Sequence, residues 1–127
     1  MSSSPGHKRW PKHRVIEEHP SQHVEVSFAG RKIAESDSPV LVIEDDHPPR
    51  YYLPREDVNM DLLEPSETTT QCPFKGTAHY YSLKIGDQRV DDAVWSYEEP
   101  YDEHRELMGR IAFYDDKIDQ LRIDASG

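Results

Sequence analysis

TTTQCPFKGTAHYYSL, residues 68–83, sets the pattern for the whole chain. It opens in small polar residues, turns at Cys72-Pro73 and alternates apolar with polar positions from Ala78, so a turn carrying reactive groups feeds a β-strand. The turn holds the only cysteine, with Lys75 three residues on and Gly76 directly after it. Working outward toward the C-terminus, the strand runs to Ile85, Gly86-Asp87 is a hairpin signal, and the returning strand covers about Arg89 to Tyr97. Pro100 opens a short helical pattern, DEHRELM (102–108), with Gly109 where a C-terminal cap belongs. Two last strands, RIAFY (110–114) and QLRID (120–124), flank a turn at 115–117.

Toward the N-terminus, Pro54 begins a second short helix in which Val58 and Leu62 are spaced i, i+4 and Pro65 is the stop. Before it lie the strand RYYL (50–53) and VLVIED (40–45), whose apolar density predicts a strand covered on both faces. HVEVSF (23–28) and KIAES (32–36) form a hairpin about Gly30-Arg31. This amounts to eight or nine short strands and two short helices, an all-β, mainly antiparallel domain over residues 23–127 with no repeat. Residues 1–22 lack periodicity and are rich in Ser, Pro, His and Lys/Arg, which predicts a flexible basic, His-rich arm. Only Trp10 could anchor residues 1–14, so trimming them is expected to leave stability nearly unchanged.

Composition narrows the partners. Of 127 residues, 15 are Lys or Arg and 25 are Asp or Glu, a net charge of -10 that repels polyphosphate and anionic headgroups, so no nucleic-acid and no membrane role is expected. The longest apolar run, VLVI, is strand-sized, and the mean hydropathy is -0.89. One cysteine allows no internal disulfide, and the opening residues do not resemble a signal peptide, which points to a cytoplasmic protein, a monomer or weak homodimer. His7, His13, His19 and His23 read as solvated, because Pro20 interrupts the last pair and no Cys or clustered carboxylate completes a ligand set.

The succession YYLPREDV (51–58), TQCPFKGTAHYYSL (70–83), AVWSYEEP (93–100) and GRIAFY (109–114) resembles the DUF427 family, also filed as nucleotidyltransferase-like domain 9, from about Arg14 to Asp124. The resemblance implies a β-tent, two antiparallel sheets packed at a steep angle, as in cereblon's ligand-binding domain, Mss4 and the B-type methionine sulfoxide reductases. Such relatives commonly pin the sheets with zinc held by two CxxC pairs. No CxxC occurs here, so an Mss4-like fold without the zinc clasp is expected, with no metal site, no cofactor and no stoichiometric zinc after purification. The family label implies nucleotidyltransferase activity, but the residues offer neither a DxD metal motif nor a Gly-rich phosphate cradle.

Two functional classes follow. In the first, a small-molecule binding module, Tyr52, Trp95 and Tyr97 form aromatic walls, while Lys75 with Arg55, and Glu44 as their carboxylate partner, fixes a polar or anionic group. In the second, an enzyme, Cys72 is a nucleophile whose thiolate fraction Lys75 raises. A free cysteine more often packs, and with no resolving cysteine a reductase reaction has little support. His79 could serve as a base but is expected at the exposed surface of its strand. Tyr51 and Tyr52, like Tyr80 and Tyr81, must point to opposite sides, while Trp95 and Tyr97 share one.

Overall fold

Alternating side chains become two antiparallel sheets in the computed structural model, which describes residues 2–127; Met1 lies outside the described residues. The strands are β1 (Val15–Glu18), β2 (His23–Phe28), β3 (Arg31–Ser36), β4 (Val40–Glu44), β5 (Arg50–Leu53), β6 (Leu63–Cys72), β7 (Gly76–Ile85), β8 (Gln88–Ser96), β9 (Ile111–Phe113) and β10 (Leu121–Ser126). Seven form one sheet in the order β1-β4-β5-β9-β8-β7-β6, and three form the other in the order β10-β2-β3. The β2–β3 hairpin closes with Phe28 opposite Arg31, and the two residues between, Ala29 and Gly30, have φ of 51° and 85°. That left-handed pair suits the right-handed twist of the strands. The all-β expectation and the two-sheet arrangement hold.

The central strands of the large sheet are buried on both faces, and period two sorts their residues. Leu53, Leu83, Val94, Ile111 and Phe113 join Val24, Val26, Phe28, Ile33 and Leu121 of the small sheet in one apolar core. Their strand neighbours Tyr52, Trp95 and Ala112 face the other way and gather with Val40, Val42, Ala78, Tyr80, Tyr97 and Leu107. The second face is therefore aromatic, and the candidate site lies on it.

Five expectations differ from the outcome. VLVIED is not covered on both faces, because β4 borders the edge strand β1, and Ile16 and Ile43, paired across that ladder, are both solvent-exposed. The helix expected from Pro54 is two 3-10 turns, Arg55–Asp57 and Met60–Leu62. Between them Val58 is extended and bridges Ala34, and the Asn59 N–H donates to the Ile33 carbonyl at 2.9 Å, so sheet contacts override helical spacing. The 102–108 pattern is likewise 3-10, over Asp102–Leu107, although Gly109 is left-handed (φ 71°) as its capping position requires. Pro65, read as a helix stop, and the polar residues 68–71 before the Cys72 turn instead lie within the ten-residue edge strand β6, which is almost wholly exposed and shows no alternation to read.

The fifth difference concerns residues 2–22, which are built into the fold rather than loose. Helix α1 (Pro5–Arg9) is N-capped by Ser4, whose hydroxyl accepts from the His7 N–H at 3.3 Å, and β1 completes the large sheet against β4. The anchor is not Trp10, which is half exposed. It is polar: the Pro73 carbonyl accepts from the Ser4 hydroxyl at 2.9 Å and from the Gly6 N–H at 2.7 Å, while the Ser4 N–H donates to the Glu103 carboxylate at 2.9 Å. Hydrophobic periodicity cannot signal such docking. At Gly6 a Cβ would stand 2.6 Å from the Pro73 oxygen, so only glycine fits the approach.

Removing residues 2–14 is accordingly expected to lower the melting temperature by on the order of 12 °C, taking about 4 °C per kcal/mol and three lost hydrogen bonds of roughly 1 kcal/mol each. Gly6→Ala should reproduce much of that drop in a thermal melt; an unchanged melt for both would show α1 to be undocked.

Candidate functional site

A cleft of about 400 Å³ opens on the aromatic face of the large sheet. Five strands and the turn after β6 supply it: Glu44 ends β4, Arg50 and Tyr52 come from β5, Thr70 and Cys72 from β6, Tyr80 from β7, Trp95 from β8, and Pro73, Phe74 and Lys75 from the turn. Tyr97, Tyr114, Lys117 and His47 complete the wall and mouth. Six of the seven residues singled out from sequence, Glu44, Tyr52, Cys72, Lys75, Trp95 and Tyr97, therefore lie around one cavity.

Lys75 is buried, and its ammonium donates to Glu44 Oε1 while lying 5.8 Å from the Tyr97 ring centroid. The turn that aims it inward depends on Gly76, whose φ of 123° no side chain adopts readily and which the backbone of Glu99 and Pro100 approaches within 3.4 Å of a would-be Cβ. The close neighbour that this glycine admits is thus the chain itself. Glu44 Oε2 lies 3.0 Å from His13 Nε2 and 3.7 Å from His47 Nε2. Burial pushes the Glu44 carboxyl upward, but its hydrogen bonds to Lys75 and His13 outweigh that and hold it below the usual carboxylate range. His13 in turn stacks on Phe74, centroids 4.2 Å apart, so the N-terminal segment backs the ion pair from behind.

Aromatic side chains form the floor. Trp95 Nε1 donates to the Tyr52 hydroxyl at 3.1 Å, Tyr52 stacks against Tyr97 at 6.3 Å, and Trp95 meets Tyr114 at 4.2 Å. The Tyr80 and Tyr114 hydroxyls lie 3.1 Å apart, and Tyr80 also bonds Thr70. Burial raises the phenols of Tyr52, Tyr97 and Tyr114 well above their ordinary value, so all three stay neutral donors at physiological pH. The Arg50 guanidinium sits 5.4 Å from Trp95 and 5.3 Å from Tyr114 and pairs with Asp116 at 2.6 Å, and Lys117 lies 4.8 Å from Tyr114. Two cations thus stand at the mouth of an acidic chain, Arg50 already balanced by Asp116 and by Asp115 at 3.6 Å.

Cys72 lines the cleft, half-buried, and its Sγ accepts the Lys75 backbone N–H at 3.4 Å. The part of Lys75 that meets the thiol is its amide, while the ammonium is held by Glu44. Arg55 does not converge with Lys75. It bonds the Tyr81 hydroxyl, Ser96 Oγ, the Gly109 carbonyl and the Glu98 carboxylate, at 2.9–3.3 Å. Tyr81 and Ser96 are the strand neighbours of the cleft residues Tyr80 and Trp95, so alternation carries Arg55 to the opposite face. His79 is exposed, as its strand position implied.

Sequence reading missed Arg50, Tyr114 and His13, and for the pair Tyr80 and Tyr81 it left open which one lines the cleft. For Arg50 the signal was present, since it stands two residues before Tyr52 on one strand and shares its face; Tyr114 follows Ala112 by the same step. His13 had none, because only the docking of residues 2–14 brings it to Glu44.

Over residues 16–124, nearly its full length, the sequence matches the family described as a domain of unknown function (DUF427), and the chain belongs to that family. Comparison with the curated proteins gives no match. Among the described residues no helix is long and apolar enough to cross a membrane.

Breaking the buried pair from one side should be costly. Glu44→Gln is expected to lower unfolding free energy by about 3–5 kcal/mol, since it leaves the Lys75 charge uncompensated, whereas Glu44→Leu with Lys75→Met should cost far less. Because the folded carboxyl is depressed, wild-type stability from this group is full above the unfolded carboxylate value of about 4.3 and lost as pH falls through the folded one. Urea titrations between about pH 7 and pH 3 should show that acid loss in wild type and not in the double variant; equal costs for single and double variants would contradict it.

Proposed function

We propose that the cleft is a binding site for a small molecule carrying a polar or anionic group. The observation that carries this reading is the meeting of an aromatic floor with a single buried ion pair, the composition expected of a small-ligand pocket. The Lys75 ammonium has three N–H donors and spends one on Glu44, leaving donors for a ligand acceptor, while Trp95, Tyr97 and Tyr114 offer faces to a flat or apolar body. Lys117 at the mouth adds a cation beside Lys75, while the Arg50 charge is already balanced by Asp116.

A second reading makes Cys72 a nucleophile, supported by its place on the cleft wall. Activation by Lys75 would require the ammonium to leave Glu44, so this reading ranks below binding. Nucleotidyl transfer ranks lower still: it calls for paired carboxylates holding a magnesium ion, and among the described residues that line the cleft Glu44 is the one carboxylate.

Calorimetric titration with a panel of aromatic carboxylates, alkyl phosphates and neutral amides tests the first reading. At least one anionic member should bind, with the affinity lost in Lys75→Met, weakened at least ~10-fold in Trp95→Ala and unchanged in Cys72→Ser, each variant confirmed folded by circular dichroism. Binding by none of the panel, or an undiminished affinity in Lys75→Met, would count against it. Iodoacetamide labelling decides the second: a rate that stays high below the free-thiol value of roughly 8.5 and falls in Lys75→Met supports a nucleophile, and labelling only on unfolding removes it.

A further inference from the structure

We propose that His7 and His104 form a site for one borderline divalent cation of the zinc, nickel and copper class, separate from the cleft. Taken from sequence, His7 had no partner to complete a ligand set; the fold supplies one from 97 positions away. His7 Nε2 and His104 Nε2 face each other at 2.8 Å, across α1 and the 3-10 segment Asp102–Leu107. Two ring nitrogens so placed must share one proton or one metal ion.

Glu17 decides how His104 is presented. Its oxygens lie 2.9 and 3.1 Å from His104 Nδ1, so the imidazole donates Nδ1–H to the carboxylate and turns the Nε2 lone pair toward His7. This carboxylate–histidine arrangement is the one that orients imidazole ligands in metal centres. Glu17 and His104 are both almost fully buried, with side chains 7% and 3% exposed, and among the described residues no Lys or Arg lies within ion-pair distance of Glu17. A buried carboxylate without a fixed cation is costly, and an ion bound through His104 would supply the missing charge.

The geometry fits with a small adjustment. Zinc–nitrogen bonds of about 2.0–2.1 Å in a tetrahedral set need ring nitrogens roughly 3.3 Å apart, so the rings must part by about 0.5 Å. His104 is held by Glu17, and His7, half-buried on a five-residue helix, is the one able to move. Two protein ligands leave open positions for water, so binding on the order of micromolar is expected, and an ion held at that strength leaves during purification. The site is therefore compatible with the absence of a CxxC clasp. A second cluster, His23, Glu25 and Glu35, serves as a control, because Lys32 at 2.7 Å from Glu35 already compensates it.

The test is calorimetric titration of the untagged full chain, stripped with chelator, with zinc chloride near pH 7.5. One ion per chain is expected, at least ~10-fold weaker in His7→Ala and in Glu17→Gln and unchanged in His23→Ala. His7 is only half-buried, so its variant should fold, which circular dichroism checks. No saturable binding up to about 1 mM, equal affinity in His7→Ala and wild type, or a loss confined to His23→Ala would each overturn the proposal.

Discussion

The buried ion pair between Lys75 and Glu44 is the contact on which the site depends. Placing an ammonium and a carboxylate in a low-dielectric wall is unfavourable unless each finds its partner and its remaining hydrogen-bonding positions are met. The protein meets that demand with parts from three regions: the turn after β6 brings Lys75, the end of β4 brings Glu44, and the segment before β1 brings His13 to the second carboxylate oxygen. Each of those backbones is in turn fixed by something else. Gly76 and the Tyr101 N–H, which donates to the Lys75 carbonyl at 3.0 Å, hold the turn, and the Pro73 carbonyl holds the helix that leads to His13.

A single sheet performs two tasks because its side chains alternate. One face is sealed by the small sheet and packed with aliphatic residues and Phe113; that face stabilises the fold. The other carries tyrosines and Trp95, whose polar atoms need partners and find them in one another and at the cleft surface. The two faces are coupled by the backbone, so the aliphatic core supplies rigidity to the aromatic floor. Arg55 belongs to the first face although its charge suggested the second, and it ties Glu98 and Tyr81 to the Gly109 turn.

The N-terminal segment turns an open sheet surface into a walled one. Phe74 is flanked by His7, Trp10 and His13, with centroids 5.0, 5.9 and 4.2 Å away, so the tip of the Cys72–Lys75 turn is clamped by residues far from it in sequence. The same docking sets His7 against His104. Residues that look like a solvated basic arm by composition thus wall the cleft and bring His7 to His104, and they do so through the Pro73 carbonyl, the Glu103 carboxylate, one serine and one glycine.

By itself the sequence determined what short-range periodicity can encode. Eight of the ten strands, the hairpin turns, the glycine-dependent turn at 72–76 and the division of neighbouring tyrosines between two faces follow from alternation and from turn residues, which act over two to four positions. The cleft was legible to the same extent: Tyr52, Trp95, Tyr97, Cys72 and Lys75 carried their orientation in their strand or turn position. Tertiary structure alone decided the rest. The exposed edge strand β6 has no apolar alternation, Val58 exchanges helix for a sheet bridge, Arg55 crosses to the other face, and Ser4, Gly6, His7 and His13 acquire roles only through partners that are as many as 99 positions away. Hydrogen bonds between such distant groups leave no periodic trace in a chain, because their geometry exists only after the strands between them have paired.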